Sequence, residues 1–400
     1  MPPDGQPGGR CALPSVAEEW ETAPHHHERN HVFLAIRDLR FAKGRFVLMA
    51  AVIALITLLL VMLSGLTAGL GNQSTSAIAG LRTDQIIFGA PAGTPAKASF
   101  TESEVTREQL AAWSAQDGVA GVEALGISQV RAQAVGTAGS PGGTANVAVF
   151  GGSNGLSAGP ASPMPDPADD GTVVVGETLA ADLHLSPGSL LAVGGVELAV
   201  AGIVPDQWYS HIGVVWTSLS DWRQLARIGS GSLGTVLAVT FDAGAQVDVD
   251  AANAAAGTVS TTRDGSFQAL GSFKSENGSL MLMQAFLYGI SALVIVAFLT
   301  VWTVQRTRDI AVVKAMGGSP GYVLRDAMGQ ALMVLAAGTI AGGGTGLLGG
   351  FLAAQAAPFL LTPATTLVPI AGILLLGLCG AAVAVRGVTR IDPLLALGGN

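Results

Sequence analysis

The sequence is poor in charged and in aromatic residues. Only 12% of its 400 residues are Asp, Glu, Lys or Arg, and only three are tyrosines, whereas half are hydrophobic. Soluble proteins carry about twice that share of charge, so the composition excludes an ordinary soluble enzyme and indicates a membrane protein. A net charge of −8 also argues against nucleic-acid binding, which needs a basic surface.

Cysteine and lysine are scarce as well. Cys11 and Cys379 stand near opposite ends of the chain, so no disulfide framework is expected. None of the four lysines follows a glycine in the Gly-Lys-Ser/Thr order of a phosphate-binding loop. The H-E-x-x-H order of zinc hydrolases occurs at residues 27–31, and the G-x-S-x-G order of serine hydrolases occurs at 151–155, 155–159 and 317–321. None of these matches has the sequence context that the site requires, a zinc-binding helix or a strand-turn-helix. We therefore expect no ATPase site, no other catalytic residue, no metal and no cofactor in this chain.

Four apolar segments are long enough to cross a bilayer, for which about 20 residues suffice. They cover residues 46–70, 280–304, 328–357 and 367–385. The first begins after 45 more polar residues and is longer than the apolar core of a cleaved signal peptide, which lies near the start of a chain. We therefore expect it to remain as a membrane anchor. The order is one span, a long insert at 71–279, and then three spans.

Basic residues are distributed unevenly around these spans. Residues 72–279 contain eight basic and 19 acidic residues, whereas 12 basic residues lie in 1–45, 305–327 and 386–400. The positive-inside rule then places both termini and the 305–327 segment in the cytosol and the insert outside. The sequence thus predicts a plasma-membrane protein with four transmembrane helices (1+3) and a large extracellular α+β domain between helices 1 and 2.

Residues before the first span divide into two parts. Residues 1–30 are rich in Pro, Gly and acid, which is typical of a flexible cytosolic tail. Residues 31–45 repeat apolar side chains at helical spacing beside a basic face, which favours a helix on the inner membrane surface. The alternative is a simple basic flank to the span.

Within the insert, short β-rich and helical patterns alternate. The glycine pair Gly194-Gly195 predicts a tight hairpin turn, and residues 151–167 are rich in Gly, Ser and Pro, which indicates a loop. Strands are predicted at Thr172–Val175, Leu190–Val193 and Val196–Val200, and helices at Thr106–Ser114, Glu177–Leu183 and Leu219–Arg227.

The segment after the second span, within 305–327, reads RTRDIAVVKAMGGS from Arg306 to Ser319. Helical periodicity places Ile310, Val313 and Met316 along one side. Gly317-Gly318 can end this helix, and Ser319-Pro320 can begin the next one. A basic flank alone would not need the apolar stripe, so a short helical element facing the cytosol is expected.

This segment resembles the motif R-x-R-E-I-A-x-x-R/K-A-x-G-A-S of FtsX-like, MacB-type ABC transporter permeases, the mechanotransmission class. The one-plus-three arrangement, the insert and the closing Arg390-Ile391-Asp392-Pro393 are also similar, so the resemblance covers nearly the whole chain. It implies a dimer, which we expect to consist of identical chains, working with two copies of a separate subunit that binds ATP and Mg. Asp309 replaces the usual Glu, and Pro320 stands where a polar residue is common. The residues that the resemblance implies for coupling to that subunit are Arg306, Arg308, Asp309, Ile310, Lys314, Ala315 and Met316.

Glycines recur every four residues on two of the spans. Such stripes allow close approach of helix backbones, and the alternative is simple enrichment of a chain with 54 glycines. The stripe residues are Gly65 and Gly69 on the first span and Gly338, Gly342, Gly346 and Gly350 on the third.

An aromatic segment of the insert holds Trp208, Tyr209 and His211. These side chains can stack on a flat ligand or ligate haem iron, and the chain also resembles the permease subgroup that includes haemin exporters. They are candidate substrate contacts, with two alternatives: the aromatic residues form the domain core, or haem contacts spans one and two.

Two functions follow from these patterns. The first is an ATP-driven exporter of a hydrophobic or amphiphilic molecule, with haem as a candidate, because the spans carry no charged path for an ion. The second is a non-transporting signal transducer that controls extracellular cell-wall hydrolases, as the cell-division members of the family do.

Overall fold

The computed structural model describes residues 43–91, 93–136, 142–152, 169–227, 231–305, 307, 312, 316 and 319–389. Four helices are long and apolar enough to cross a membrane. They are α1 (Lys43–Ala79), α6 (Gly271–Gln305), α7 (Pro320–Ala353) and α8 (Pro363–Thr389). Residues 1–42, which include the tail predicted at 1–30 and most of the inner-surface helix predicted at 31–45, lie outside the described residues, as do the residues after 389.

Two of these helices extend well past the predicted spans on the side of the insert. Helix α1 continues to Ala79 and α6 already begins at Gly271. Hydropathy could not indicate these ends, because polar residues such as Asn72 and Ser76 continue a helix outside the hydrocarbon. Helix α7 begins at Pro320, as the Ser-Pro signal predicts.

The start of α8 is fixed by a reciprocal cap. The Thr362 hydroxyl accepts a hydrogen bond from the Thr365 backbone N–H, and the Thr365 hydroxyl accepts one from the Thr362 N–H. Pro363 occupies the first helical position, where a missing N–H is harmless.

The chain forms two compact units. One unit contains one end of each of the four long helices and lies within residues 1–53, 294–338 and 374–400. The other unit comprises residues 54–293 and 339–373. In the first unit α1, α6 and α7 surround a small pocket lined only by apolar side chains such as Ile53, Phe298 and Leu335. In the same unit the rings of Phe46 and Trp302 pack edge to face, with centroids 6.2 Å apart.

The insert between α1 and α6 is an external domain with ten strands and four short helices in the described chain. Its strands are β1 (Gln85–Phe88), β2 (Val119–Ala134), β3 (Thr144–Gly152), β4 (Thr172–Gly176), β5 (Leu190–Val193), β6 (Val196–Val204), β7 (Trp208–Tyr209), β8 (Ile212–Ser218), β9 (Val236–Phe241) and β10 (Val259–Thr262). Its helices are α2 (Arg107–Ser114), α3 (Glu177–Asp182), α4 (Leu219–Leu225) and α5 (Val249–Ala256).

Four strands form an antiparallel layer in the order β10-β1-β9-β2. Helix α2 connects β1 to β2 and α5 connects β9 to β10, which gives a β-α-β-β-α-β arrangement. Both helices cover one face of this layer, where Trp113 is fully buried with Ile87, Leu237 and Val239.

The remaining strands close into a six-stranded barrel. Its order is β2-β3-β8-β4-β6-β5, and β5 returns to pair with β2. The first half of β2 pairs with β9 of the layer and its second half with β3 of the barrel, so one strand of 16 residues belongs to both. The strand and helix predictions of the insert are confirmed within one or two residues at each end, except that β6 continues to Val204, four residues past its predicted end.

One prediction for the insert is wrong in part. Gly151 and Gly152 belong to β3 rather than to a loop, and they are buried because the indole of Trp222 covers Gly151. The register pairs Gly126 with Gly151, and a side chain at either position would overlap that indole. Residues 153–168 lie outside the described chain.

Candidate coupling and substrate sites

Only one residue of the implied coupling set lies among those described. The Met316 side chain is 76% exposed, and its backbone N–H donates to the Val312 carbonyl as in a helical turn. The residues of the set outside the described chain are Arg306, Arg308, Asp309, Ile310, Lys314 and Ala315.

The glycine stripe of α7 faces α1 along most of its length. A methyl group at Gly338 would lie 2.7 Å from Ile53 Cβ, and one at Gly346 would lie 3.0 Å from Val61 Cγ1. At Gly342 a methyl group would overlap the Ala54 carbonyl oxygen and lie 2.8 Å from Thr57 Cβ. Because these contacts are with backbone or with branched carbons, α1 and α7 approach each other closely only where α7 has no side chain.

The other three glycines of the set contact a connecting segment instead of a helix. A methyl group at Gly350 would lie 2.6 Å from the Phe359 ring, and that ring also fills the space above Gly65. Gly69 faces the backbone of Pro358. The connection between α7 and α8 thus inserts a phenylalanine into the bundle, with the Leu360 N–H donating to the Gly65 carbonyl.

Tyr209 lies in the core of the external domain. Only 4% of its surface is exposed, and its ring packs edge to face on Phe100 and Phe150, with centroids 6.0 and 5.4 Å away. Burial raises the pKa of its phenol well above the usual range. Tyr209 therefore belongs to the domain core, one of the alternatives that the sequence leaves open.

The same core joins the external domain to the membrane helices. Its members come from strands of the layer and of the barrel, and Ala77 and Ile78 at the end of α1, with Leu81 just beyond it, complete the core. Leu270 is buried there, and Phe273 at the start of α6 packs against it. Both helices therefore enter the domain rather than merely tether it.

Trp208, Tyr209 and His211 belong to one hairpin, residues 207–214, which we call the stalk hairpin. Strands β7 and β8 pair through Trp208 with Gly213 and Tyr209 with Ile212. The two turn residues have left-handed φ angles, 49° for Ser210 and 64° for His211. Neither is a glycine, so the turn costs about 1–2 kcal/mol per residue, and surrounding contacts must hold it.

Those contacts come from α1. The backbone N–H groups of Ser210 and His211 donate to the carbonyls of Ser74 and Gln73, at 3.0 and 2.9 Å. The Trp208 N–H donates to the Ser76 hydroxyl at 2.9 Å. Three backbone donors among residues 208–211 of the hairpin are thus satisfied by one helix.

His211 contacts both membrane helices at once. Its Nε2 lies 2.8 Å from Oε2 of Glu276 on α6 and 3.1 Å from the hydroxyl of Ser74 on α1. A carboxylate only accepts hydrogen bonds, so Nε2 carries the proton and donates. The hydroxyls of Ser210 and Ser272 lie 3.1 Å apart and add a second link to α6.

The base of the stalk hairpin is satisfied less well than its tip. Within the described residues, both amide atoms of Gln207 and the indole Nε1 of Trp216 are buried without a hydrogen-bond partner. Only 4% of Gln207 and 5% of Trp216 is exposed. An unpaired buried polar group costs about 1–3 kcal/mol, so this packing of the hairpin carries an unfavourable energy.

Sequence reasoning missed Ser74, Gln207, Ser272 and Glu276. Ser74 and Glu276 stand 137 and 65 positions from His211, and no local pattern links residues so far apart. The available signal was Glu276 itself, an acidic residue a few positions before a long apolar run.

Helix α6 has the most open face of the four apolar helices, with only 17% of its most apolar window buried. Gly278 and Gly289 lie on this face, and a methyl group at either would meet nothing within 4 Å. Met281, Met283 and Phe286 in the same part of the helix are 51–64% exposed. This apolar surface is free to contact lipid, substrate or another helix.

Among solved structures, the chain is similar to the extracellular domain of the noncanonic ABC-type transporter YknZ from Gram-positive bacteria, with 13% identity and a TM-score of 0.33 over 45% of this chain and 99% of that one. The periplasmic region of MacB from Actinobacillus actinomycetemcomitans also matches, with 12% identity and a TM-score of 0.33 over 47% and 92% of the chains.

Relatives match over nearly the whole length. The chain is 23% identical to a putative hemin transport system permease protein HrtB of Staphylococcus epidermidis, over 92% of this chain and 99% of that protein. It is 25% identical to an uncharacterized ABC transporter permease of Mycobacterium bovis, with the same coverage. The MacB-like periplasmic core domain matches residues 46–259, and the FtsX-like permease C-terminal domain matches residues 265–393. The chain therefore belongs to the FtsX-like, MacB-type permeases of ABC transporters.

Proposed function

We propose that this permease exports a hydrophobic or amphiphilic molecule by mechanotransmission, with motion passing along α1 and α6 to the external domain. The length and continuity of these two helices carry the proposal. With 37 and 35 residues, each spans more than about 50 Å, against about 30 Å of hydrocarbon. Helix α6 ends at Gln305, next to the coupling segment, and both helices enter the external core.

The partners follow from the same arrangement. ATP hydrolysis falls to a separate ATP-binding subunit, in two copies, which receives the cytosolic segment around Met316. A second permease chain covers the open face of α6, since Gly278 and Gly289 leave room for close approach of a helix backbone. The excess of basic residues in segments 1–45, 305–327 and 386–400 supports a cytosolic position for both termini.

Haem is the substrate that we propose, as the name of the Staphylococcus epidermidis relative suggests. The part of the open face of α6 that the second chain leaves uncovered offers an apolar surface for a porphyrin, and a thioether such as that of Met281 or Met283 is a type of ligand that binds haem iron. Because Tyr209 is enclosed in the domain core, the external aromatic segment is the weaker location for this substrate.

The test uses the permease copurified with the ATP-binding subunit encoded beside it, in lipid nanodiscs, titrated with haemin and with unrelated amphiphiles. Saturable stimulation of ATPase activity by haemin is expected, with a shift of the haem absorption band. Replacing both Met281 and Met283 by Leu weakens the response, whereas the control Met333→Leu on α7 leaves it unchanged.

The opposite result has a clear meaning. If no amphiphile changes the ATPase activity, and activity depends instead on an added extracellular protein such as a cell-wall hydrolase, the export proposal fails. The signal-transducer function would then describe this permease.

A further inference from the structure

The stalk hairpin is the place where the external domain contacts both membrane helices through one side chain. His211 Nε2 reaches Glu276 on α6 and Ser74 on α1, at 2.8 and 3.1 Å. Any relative displacement of α1 and α6 at this level by more than a fraction of a hydrogen-bond length must therefore break one of the two contacts.

The conformation of the turn depends on the same contacts. Ser210 and His211 both adopt left-handed backbone angles, and their N–H groups are satisfied by carbonyls of α1. Once the hairpin leaves α1, these donors lose their acceptors and the left-handed turn loses the contacts that hold it. Docking of the hairpin and the shape of its turn are thus coupled.

The base of the hairpin has fewer protein hydrogen bonds than its tip. Gln207 is buried with neither amide atom paired in the described chain, and the Trp216 indole N–H is unpaired as well. A rearrangement that brings either group to a partner or to water recovers the energy of its hydrogen bonds. The docked hairpin is therefore held mainly by the hydrogen bonds of its tip to α1 and α6.

We propose that His211 is a positioning residue of the transport cycle, holding the stalk hairpin on α1 and α6 as a releasable latch. In the described state the latch is closed. Motion of α1 against α6, driven from the coupling segment, opens it and frees the external domain to take a second position. This inference rests on the proposed mechanotransmission, although it does not depend on the identity of the substrate.

The first test needs no substrate. Ser210→Cys and Ser272→Cys, introduced together into a chain in which Cys11 and Cys379 are replaced by Ser, place two thiols where the hydroxyls lie 3.1 Å apart. In the complex with the ATP-binding subunit, cross-linking by a mild oxidant should proceed about threefold or more slowly with ATP and vanadate than without nucleotide.

A matched pair controls for changes in general reactivity. Ser186→Cys with Ser189→Cys lies in the same domain, with hydroxyls 3.3 Å apart and no contact to either membrane helix, and its cross-linking should not depend on nucleotide. Equal cross-linking of the 210–272 pair in every nucleotide state, or failure of that pair to cross-link at all, overturns the latch.

The second test separates positioning from substrate contact. With His211→Ala the maximal rate of haemin export should fall about tenfold while the half-saturating haemin concentration stays constant. His211→Gln, which can still donate to Glu276, should retain most of the rate. A raised half-saturating concentration with an unchanged maximal rate would show instead that His211 contacts the substrate. If the wild-type complex exports no haemin, the proposed function fails, and cross-linking still decides on the latch.

Discussion

Replacing Gly342 by Ala should separate α7 from α1 and destabilise the permease. A methyl group there would overlap the Ala54 carbonyl oxygen and lie 2.8 Å from Thr57 Cβ, whereas non-bonded carbon atoms meet at about 3.5–4.0 Å. Because the obstacle is backbone and a branched carbon, the helices themselves must move by roughly 1 Å. Overpacking of this kind costs about 1–3 kcal/mol.

The same helix provides the control. Gly344, two residues along on α7, is exposed, and a methyl group there meets nothing within 4 Å. Both substitutions gain up to about 1 kcal/mol of helix propensity, so this gain cancels when the variants are compared. Gly342→Ala should therefore be less stable than Gly344→Ala by about 1–3 kcal/mol.

Unfolding by sodium dodecyl sulfate in mixed micelles, followed by far-ultraviolet circular dichroism, measures this difference. Gly344→Ala should unfold at or above the wild-type detergent fraction and Gly342→Ala clearly below it. Coinciding midpoints for the two variants would refute the close packing of α7 on α1.

Three further predictions concern the external domain of the full-length chain. Gly151→Ala brings a methyl group 2.7 Å from Trp222 Cγ and should lower stability by about 1–3 kcal/mol, whereas Gly202→Ala, which meets nothing, should change it by less than about 0.5 kcal/mol; thermal denaturation followed by tryptophan fluorescence tests both. Thr106→Ala removes a reciprocal cap and should cost about 1 kcal/mol, visible as faster hydrogen exchange in α2 and refuted by unchanged exchange. Hydrogen bonds from two serines hold the pKa of Asp170 below its usual value. Its contribution to folding stability is therefore present above the unfolded-state pKa and is lost as the pH falls through the folded-state pKa. The stability difference between wild type and Asp170→Asn should shrink in acid, and a difference that stays constant with pH would contradict this.

Local signals were sufficient for much of the fold. The Gly194-Gly195 pair predicted a tight turn, and both residues have positive φ angles of 56° and 93° between paired strands. Long apolar runs predicted the four membrane helices, because a chain segment in hydrocarbon must satisfy its own backbone groups. Features that depend on neighbours in sequence are therefore readable without a structure.

Features that depend on distant partners were not readable. Aromatic residues near 208–222 indicated a ligand surface as readily as a core, and only the paired Gly126 and Gly151 beneath Trp222 show that this indole is core. Nothing near His211 in the sequence announces its contacts to α1 and α6. The coupling residues rest on resemblance, since most of them lie outside the described chain.

Strand β2 is shared between the layer and the barrel, and this has a consequence for biogenesis. The barrel strands follow one another within residues 126–218, whereas the layer draws on residues 85–125 and again on 236–262. During secretion the barrel can close while the first half of β2 still lacks β9, its partner in the layer. The unpaired edge persists until residue 241 has crossed the membrane, so we expect extracytoplasmic chaperones to engage the nascent domain during that interval.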